Sequence, residues 1–175
     1  FDRAGVWTEA LEAPFVLTVE NVRVNAGEPG ETAEYDELLS RIPVDYHPDC
    51  RETSPSSSEP GALVAIVCFL QDSGPGAEIV EYVLFDGNAS MDAAYEQRVD
   101  TWGADSADQT CEEGPADGTY TIAEETAGHL LCAEQTSGIR FDWTDDLLLI
   151  LTSATDFQGS YADTYQTWLE AGPNR

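Results

Sequence analysis

The sequence predicts an α+β domain, a mostly antiparallel sheet with helices packed on it and two local disulfides. Three observations lead there. Four cysteines fall into two similar frames, Cys50 with Cys68 and Cys111 with Cys132, separated by 18 and 21 residues. Runs with strand character follow one another across turns too short for a crossover helix, which leaves antiparallel neighbours. Three amphipathic segments, each with aromatic residues in its apolar stripe, are available to cover the sheet.

Phe15 to Val24 is rich in β-branched residues and predicts a first strand, which 27–32 breaks. Tyr35, Leu38, Leu39 and Ile42 recur at helical spacing and predict a short helix; Pro43 ends it because proline cannot donate to the helix ladder. After Cys50, the stretch 51–61, with Pro55 and Pro60 around serines, predicts a flexible loop inside the first disulfide ring. Ala62 to Leu70 is a continuous apolar run carrying Cys68, and Gly74-Pro75-Gly76 helps turn it into Ile79 to Phe85, a β-hairpin.

A second helix is expected from Met91 to Trp102, with Met91, Ala94, Tyr95, Val99 and Trp102 on one side and Gly103 closing it. An acidic loop over 103–118 then carries Cys111, and a short strand starts at Tyr120. His129 to Glu134, Ile139 to Trp143 and Leu147 to Ser153 form a meander, with Asp145-Asp146 as turn residues. In its middle strand Ile139, Phe141 and Trp143 alternate with Arg140 and Asp142, which predicts one buried face and one wet face. The last helix, Ser160 to Ala171, carries Tyr161, Tyr165, Trp168 and Leu169 on one stripe and stops at Gly172-Pro173.

The order helix, Cys, strand with Cys, strand occurs twice, with Tyr35 15 residues before Cys50 and Tyr95 16 residues before Cys111. An internal duplication is the expectation, in a single domain over 1–175 with pseudo-repeats at 33–88 and 89–171. Of the three connectivities open to four cysteines, Cys50–Cys68 and Cys111–Cys132 are preferred, since each closes one local loop in matching halves. Each bridge is expected to stabilise by about 3 kcal/mol through the unfolded state. Persistent pairing implies an oxidising compartment, and no C-x-x-C points to zinc.

The charge balance excludes several classes of function. Thirty-four Asp and Glu stand against seven Arg and no Lys, a net charge of -27. A nucleic acid backbone is bound by clustered Lys and Arg, and here the arginines are scattered singly, so no nucleic-acid partner is expected. The aliphatic run Leu147 to Leu151 falls far short of the roughly 20 residues that span a bilayer, as does the apolar run Ala62 to Leu70, so this segment is not expected to insert into a membrane. The chain shows no basic, apolar leader, so if the protein is exported, its signal or anchor is expected to have been removed or to lie outside this chain. Without Lys, the P-loop, Schiff-base and Ser-Lys mechanisms are excluded together, and no G-x-S-x-G, H-E-x-x-H or G-x-G-x-x-G occurs.

The acidity reads first as a solvated surface that resists aggregation in an exposed or salty setting. A calcium site is the sharper reading. Its nearest approach is Asp86, Asn88, Ser90 and Asp92, oxygen ligands at alternate positions, but the sixth loop position has Met91 where Gly is needed and the twelfth has Gln97 where Glu is needed. A helix start explains these residues more simply, with Ser90 as N-cap and Asp92 in the first turn. Asn88-Ala89-Ser90 also matches the glycosylation sequon, at the same helix cap. No cofactor and no metal are therefore expected.

Only His47 and His129 offer imidazoles. His129, in a strand near Cys132, reads as structural, and the disulfide of Cys50 removes the thiolate that a metal site with His47 would need. Paired carboxylates of the glycosidase kind cannot be picked out among so many acids, since geometry defines them. Trp7, Trp102, Trp143 and Trp168 could line a pocket; Trp102 and Trp168 on helix stripes and Trp143 on a buried strand face read as core.

Val80-Glu81-Tyr82-Val83-Leu84-Phe85 followed by Met91-Asp92-Ala93-Ala94-Tyr95, then Ala127-Gly128-His129-Leu130-Leu131-Cys132, Phe141-Asp142-Trp143-Thr144-Asp145 and Tyr165-Gln166-Thr167-Trp168 form an ordered set over residues 35–170. In this order the chain resembles the extracytoplasmic domains of some actinobacterial serine/threonine protein kinases and related lipoproteins, with His129 where Arg is more usual. The resemblance implies a sensor or ligand-binding module outside the membrane, with no catalytic residues to carry over. The leading expectation is thus a non-enzymatic extracytoplasmic sensor or binding domain, extracellular or at the cell surface. Its partner would be a small molecule, a cell-wall fragment or a protein. A secreted structural or protein-interaction protein is the alternative, and a carboxylate-based hydrolase the third.

Overall fold

Residues 32–70, 76–103 and 110–172 are described by the computed structural model. The strand expected over Phe15–Val24 lies outside them. Seven strands, β1 (Cys50–Thr53), β2 (Ala62–Phe69), β3 (Ile79–Phe85), β4 (Ala116–Ile122), β5 (Glu125–Gln135), β6 (Gly138–Asp145) and β7 (Ile150–Asp156), form one sheet. Its order is β1-β2-β3-β7-β6-β5-β4, and every neighbouring pair is antiparallel. Among the described residues three α-helices accompany it, α1 (Ala33–Arg41), α2 (Asn88–Trp102) and α3 (Tyr161–Ala171), with a 3-10 helix at Val44–Asp49. The antiparallel α+β architecture agrees with the sequence, as do the disulfides Cys50–Cys68 and Cys111–Cys132.

Local chemistry sets the helix ends. Thr32 caps α1 by accepting from the Tyr35 N–H at 3.1 Å, and Ile42 is extended because Pro43 follows it. Ser160 caps α3, accepting from the Asp163 N–H at 3.2 Å. The start of α2 differs from expectation. Gly87 is the N-cap and Asn88 the first helical residue, so Ser90 lies inside the first turn, donating to the Gly87 carbonyl at 3.0 Å. A short hydroxyl side chain in the first turn can bond the backbone behind it, and here it shares the Gly87 carbonyl with the Met91 N–H at 3.2 Å.

The strand register assigns side chains to two faces. On one, α1 and α3 cover Ile66, Tyr82, Phe141, Trp143 and Ile150, and both disulfides lie in this layer. On the other, α2 packs Met91, Ala94 and Tyr95 against Val83, Phe85, Leu131 and Leu151. Coverage on both sides explains why Ala62 to Phe69 is nearly continuously apolar. It also overturns the expected wet face of β6, for Asp142 is 1% exposed beneath α2.

Three further expectations need correction. The loop at 51–61 begins as an edge strand, because Arg51, Glu52 and Thr53 continue the pairing that starts at Cys50↔Cys68. The loop at 103–118 likewise gives way to β4 at Ala116, opposite Cys132. The last strand is shifted from Leu147–Ser153 to Ile150–Asp156. Asp145 Oδ1 accepts from the N–H groups of Leu147 and Leu148, both at 3.1 Å, which folds the chain into a turn and leaves Leu147 74% exposed.

Candidate functional site

The α2 face holds a buried ionic cluster. Arg98 donates to Asp142 Oδ1 at 2.6 Å, to the Ser153 hydroxyl and to Glu59 of the loop between β1 and β2. Arg140 grips Asp142 with Nε at 2.8 Å and Nη2 at 2.8 Å. Burial alone would push the Asp142 carboxyl up, but Arg140 and Arg98 together hold it below its ordinary value. Burial pushes the nearby Glu81 carboxyl up, with Glu59 adding to the rise and Arg98 only partly opposing it. Buried carboxylates do converge here, but Asp142 and Glu59 are paired with arginines, and the cluster joins α2 to the sheet.

Two clefts flank β4, one on each face. The first lies between β4 and α3 and encloses about 310 Å³. Trp143 and Asp145, two residues apart on β6, are buried among its lining, and Tyr120 and Trp168 make adjoining walls. The Tyr120 and Trp168 rings stand 88° apart with centroids at 5.6 Å, forming a corner. The Tyr120 hydroxyl donates to the Thr144 carbonyl at 2.8 Å, which fixes that ring, and Tyr165 supports Trp168 at 5.1 Å between centroids. Ile122 and Leu169, both exposed, border the opening. Among the described residues no hydrogen-bond partner reaches the buried Trp143 Nε1.

The second cleft, about 390 Å³, runs between α2 and the β4–β5 edge. Asp92, Glu96 and Asp100 line it at helical spacing, facing Tyr95, Asp117 and His129. The Tyr95 hydroxyl donates to Asp117 Oδ1 at 2.6 Å, and its ring lies 5.2 Å from the His129 ring. Burial, then this hydrogen bond, push the Tyr95 phenol far above its ordinary range. The four carboxylates are exposed, in water rather than in the low-dielectric surroundings on which paired-carboxylate hydrolysis depends.

Comparison with known families, curated proteins and solved structures gives no match.

The residues singled out for calcium are divided between tasks. Ser90 shares its one hydroxyl proton between Asp86 and the Gly87 carbonyl, Asn88 opens α2 in solvent, and Asp92 faces the acidic cleft. Among the described residues no group of three or more His, Cys, Asp or Glu is placed to hold a metal ion. His47 Nε2 lies 3.0 Å from the Ile42 carbonyl oxygen, within the first frame. Of the tryptophans expected in the core, Trp143 is buried, Trp168 is a cleft wall, and Trp102 is 39% exposed with Arg140 over its ring at 6.0 Å. Arg98 takes the inward position instead, because Asp142 is there to receive it. Alternation gave no sign of either cleft, since Tyr120 and Trp168 meet only after the sheet has formed.

Proposed function

We propose that this chain is a non-enzymatic extracytoplasmic ligand-binding or sensor domain. The observation that carries the reading is the aromatic cleft between β4 and α3, concave and apolar with few polar groups and walls fixed before any ligand arrives. The disulfides support an oxidising location. Among the described residues no helix is long and apolar enough to cross a membrane, which fits a module lying outside one. The same reading takes the domain as a duplicated frame. The strand order is symmetric about β7, and α1 and α2 cover opposite faces, as rotation about β7 requires; the disulfides share one face and stand outside that symmetry.

A thermal-shift screen with cell-wall fragments, small metabolites and calcium tests the proposal, because a ligand of the native state raises its melting point by mass action. A saturable rise that Trp168→Leu removes is expected for at least one small molecule. A stable homo-oligomer that buries the cleft would favour the structural or interaction protein instead.

A further inference from the structure

Resting on that ligand-binding reading, we infer that the cleft between β4 and α3 takes an organic cation, the methylated ammonium group of a small solute. The rings of Tyr120 and Trp168 line the open space, with the Trp143 indole and the Asp145 carboxylate, each 1% exposed, buried behind them, and aromatic faces backed by negative charge are the chemistry that recognises such cations. The face of an indole or phenol ring is electronegative, and methylated ammonium is weakly enough hydrated to exchange water for it. Tyr120 and Trp168, 88° apart, offer a corner rather than the single flat platform on which a sugar ring stacks. Trp143 and Asp145, buried in the lining, add an indole and a carboxylate that already accepts from the Leu147 and Leu148 N–H groups, so its charge acts on the space at a distance.

Trp143 points the same way by its cost. A buried donor without a partner among the described residues is destabilising, and phenylalanine would fill an apolar site without that penalty. Among aromatic rings, however, the indole attracts cations most strongly. The net charge of -27 raises the local concentration of any cation, while a neutral sugar gains nothing from it. Exposed Ile122 and Leu169 at the mouth suit the alkyl part of the same solute. The acidic cleft under α2 has charge but no comparable enclosure by rings.

The test is calorimetric titration of the whole chain with choline, beside its neutral carbon analogue in which a tert-butyl group replaces trimethylammonium. Choline should bind saturably, the analogue about tenfold more weakly, and Trp168→Leu should weaken choline by a similar factor with the melting point recording that the fold survives. Trp168→Phe, which keeps the packing, should fall between. Equal binding of the neutral analogue to the unmodified protein overturns the cation, whatever the variants do. If N-acetylglucosamine or a muropeptide binds where choline does not, the cation fails and the ligand-binding domain stands. If none of these binds the folded protein, both fail. Binding only to phosphatidylcholine vesicles, and not to choline, overturns the small solute.

Discussion

Arg98 Nη1 meets Asp142 Oδ1 at 2.6 Å, joining the middle of α2 to the centre of β6 where both side chains are almost wholly out of water. Among the described residues few contacts combine such burial with full charge. Glu59, on the other side of the guanidinium, brings in the loop between β1 and β2, and the Ser153 hydroxyl brings in β7, so one arginine ties α2 to three other segments.

Arg98→Met is accordingly expected to lower unfolding stability by about 3 kcal/mol, because a broken buried pair leaves uncompensated carboxylates behind. Urea denaturation measures it. Combining Arg98→Met with Glu59→Gln should recover part of the loss, and a single-variant cost below about 1 kcal/mol, the range of a surface pair, would show that the cluster does not hold α2.

Two carboxyls of this cluster should give opposite dependences on pH. Asp142 is held below its ordinary value, so its ionised form favours the fold. That contribution is complete above the unfolded value of about 3.9 and is lost as pH falls through the lower folded value, so Asp142→Asn should be destabilising at neutral pH and approach the parent only in strong acid. Glu81 is raised, so the folded protein binds its proton more readily than the unfolded chain does. Its ionisation opposes folding at neutral pH, and the opposition fades as pH falls through its raised value. Glu81→Gln should therefore increase the melting point at neutral pH, with the advantage shrinking on mild acidification; a gap independent of pH would contradict this assignment.

Removing either disulfide, as Cys50→Ser with Cys68→Ser or Cys111→Ser with Cys132→Ser, should cost about 3 kcal/mol, since the closed loops are of similar length. Chemical denaturation of each pair variant checks it. Peptide mapping without reduction should recover Cys50 joined to Cys68; a peptide joining Cys50 to Cys111 would refute the pairing.

Two glycines of neighbouring strands should respond differently to alanine. A methyl at Gly128 would run into the Thr144 carbonyl oxygen, whereas one at Gly118 meets nothing within 4 Å. Gly128→Ala is expected to destabilise by about 2 kcal/mol through overpacking and Gly118→Ala to change stability by less than about 0.5 kcal/mol. Comparable melting points for the two would count against the close approach of β5 to β6.

Much of the fold was legible because it follows from local rules. The apolar stripe at Tyr35, Leu38 and Ile42 and the stop at Pro43 each act within a few residues. Asp142 was misread because alternation assigns charged positions to water, and nothing in the strand itself announces that α2 will bring a guanidinium to meet it. The turn at Asp145-Asp146 was expected, but it runs on to residue 149, and the last strand was begun too early at Leu147 for a related reason. Five aliphatic residues invite a strand, but a single carboxylate capping two N–H groups folds the first of them out into solvent. The aromatic cleft was beyond reach, since β4, β6 and α3 contribute to it from positions far apart in the chain.

The two disulfides sit at the margins of the sheet, Cys50 tying edge strand β1 to β2 and Cys111 anchoring the approach to edge strand β4 on β5. Sheets fail from their margins, where unpaired N–H and C=O groups can also template pairing with another chain. With both borders riveted, neither edge strand is free to peel away and trade places with its counterpart in a second molecule. Oxidation thus guards against strand exchange between copies, and under reducing conditions the borders should loosen before the centre.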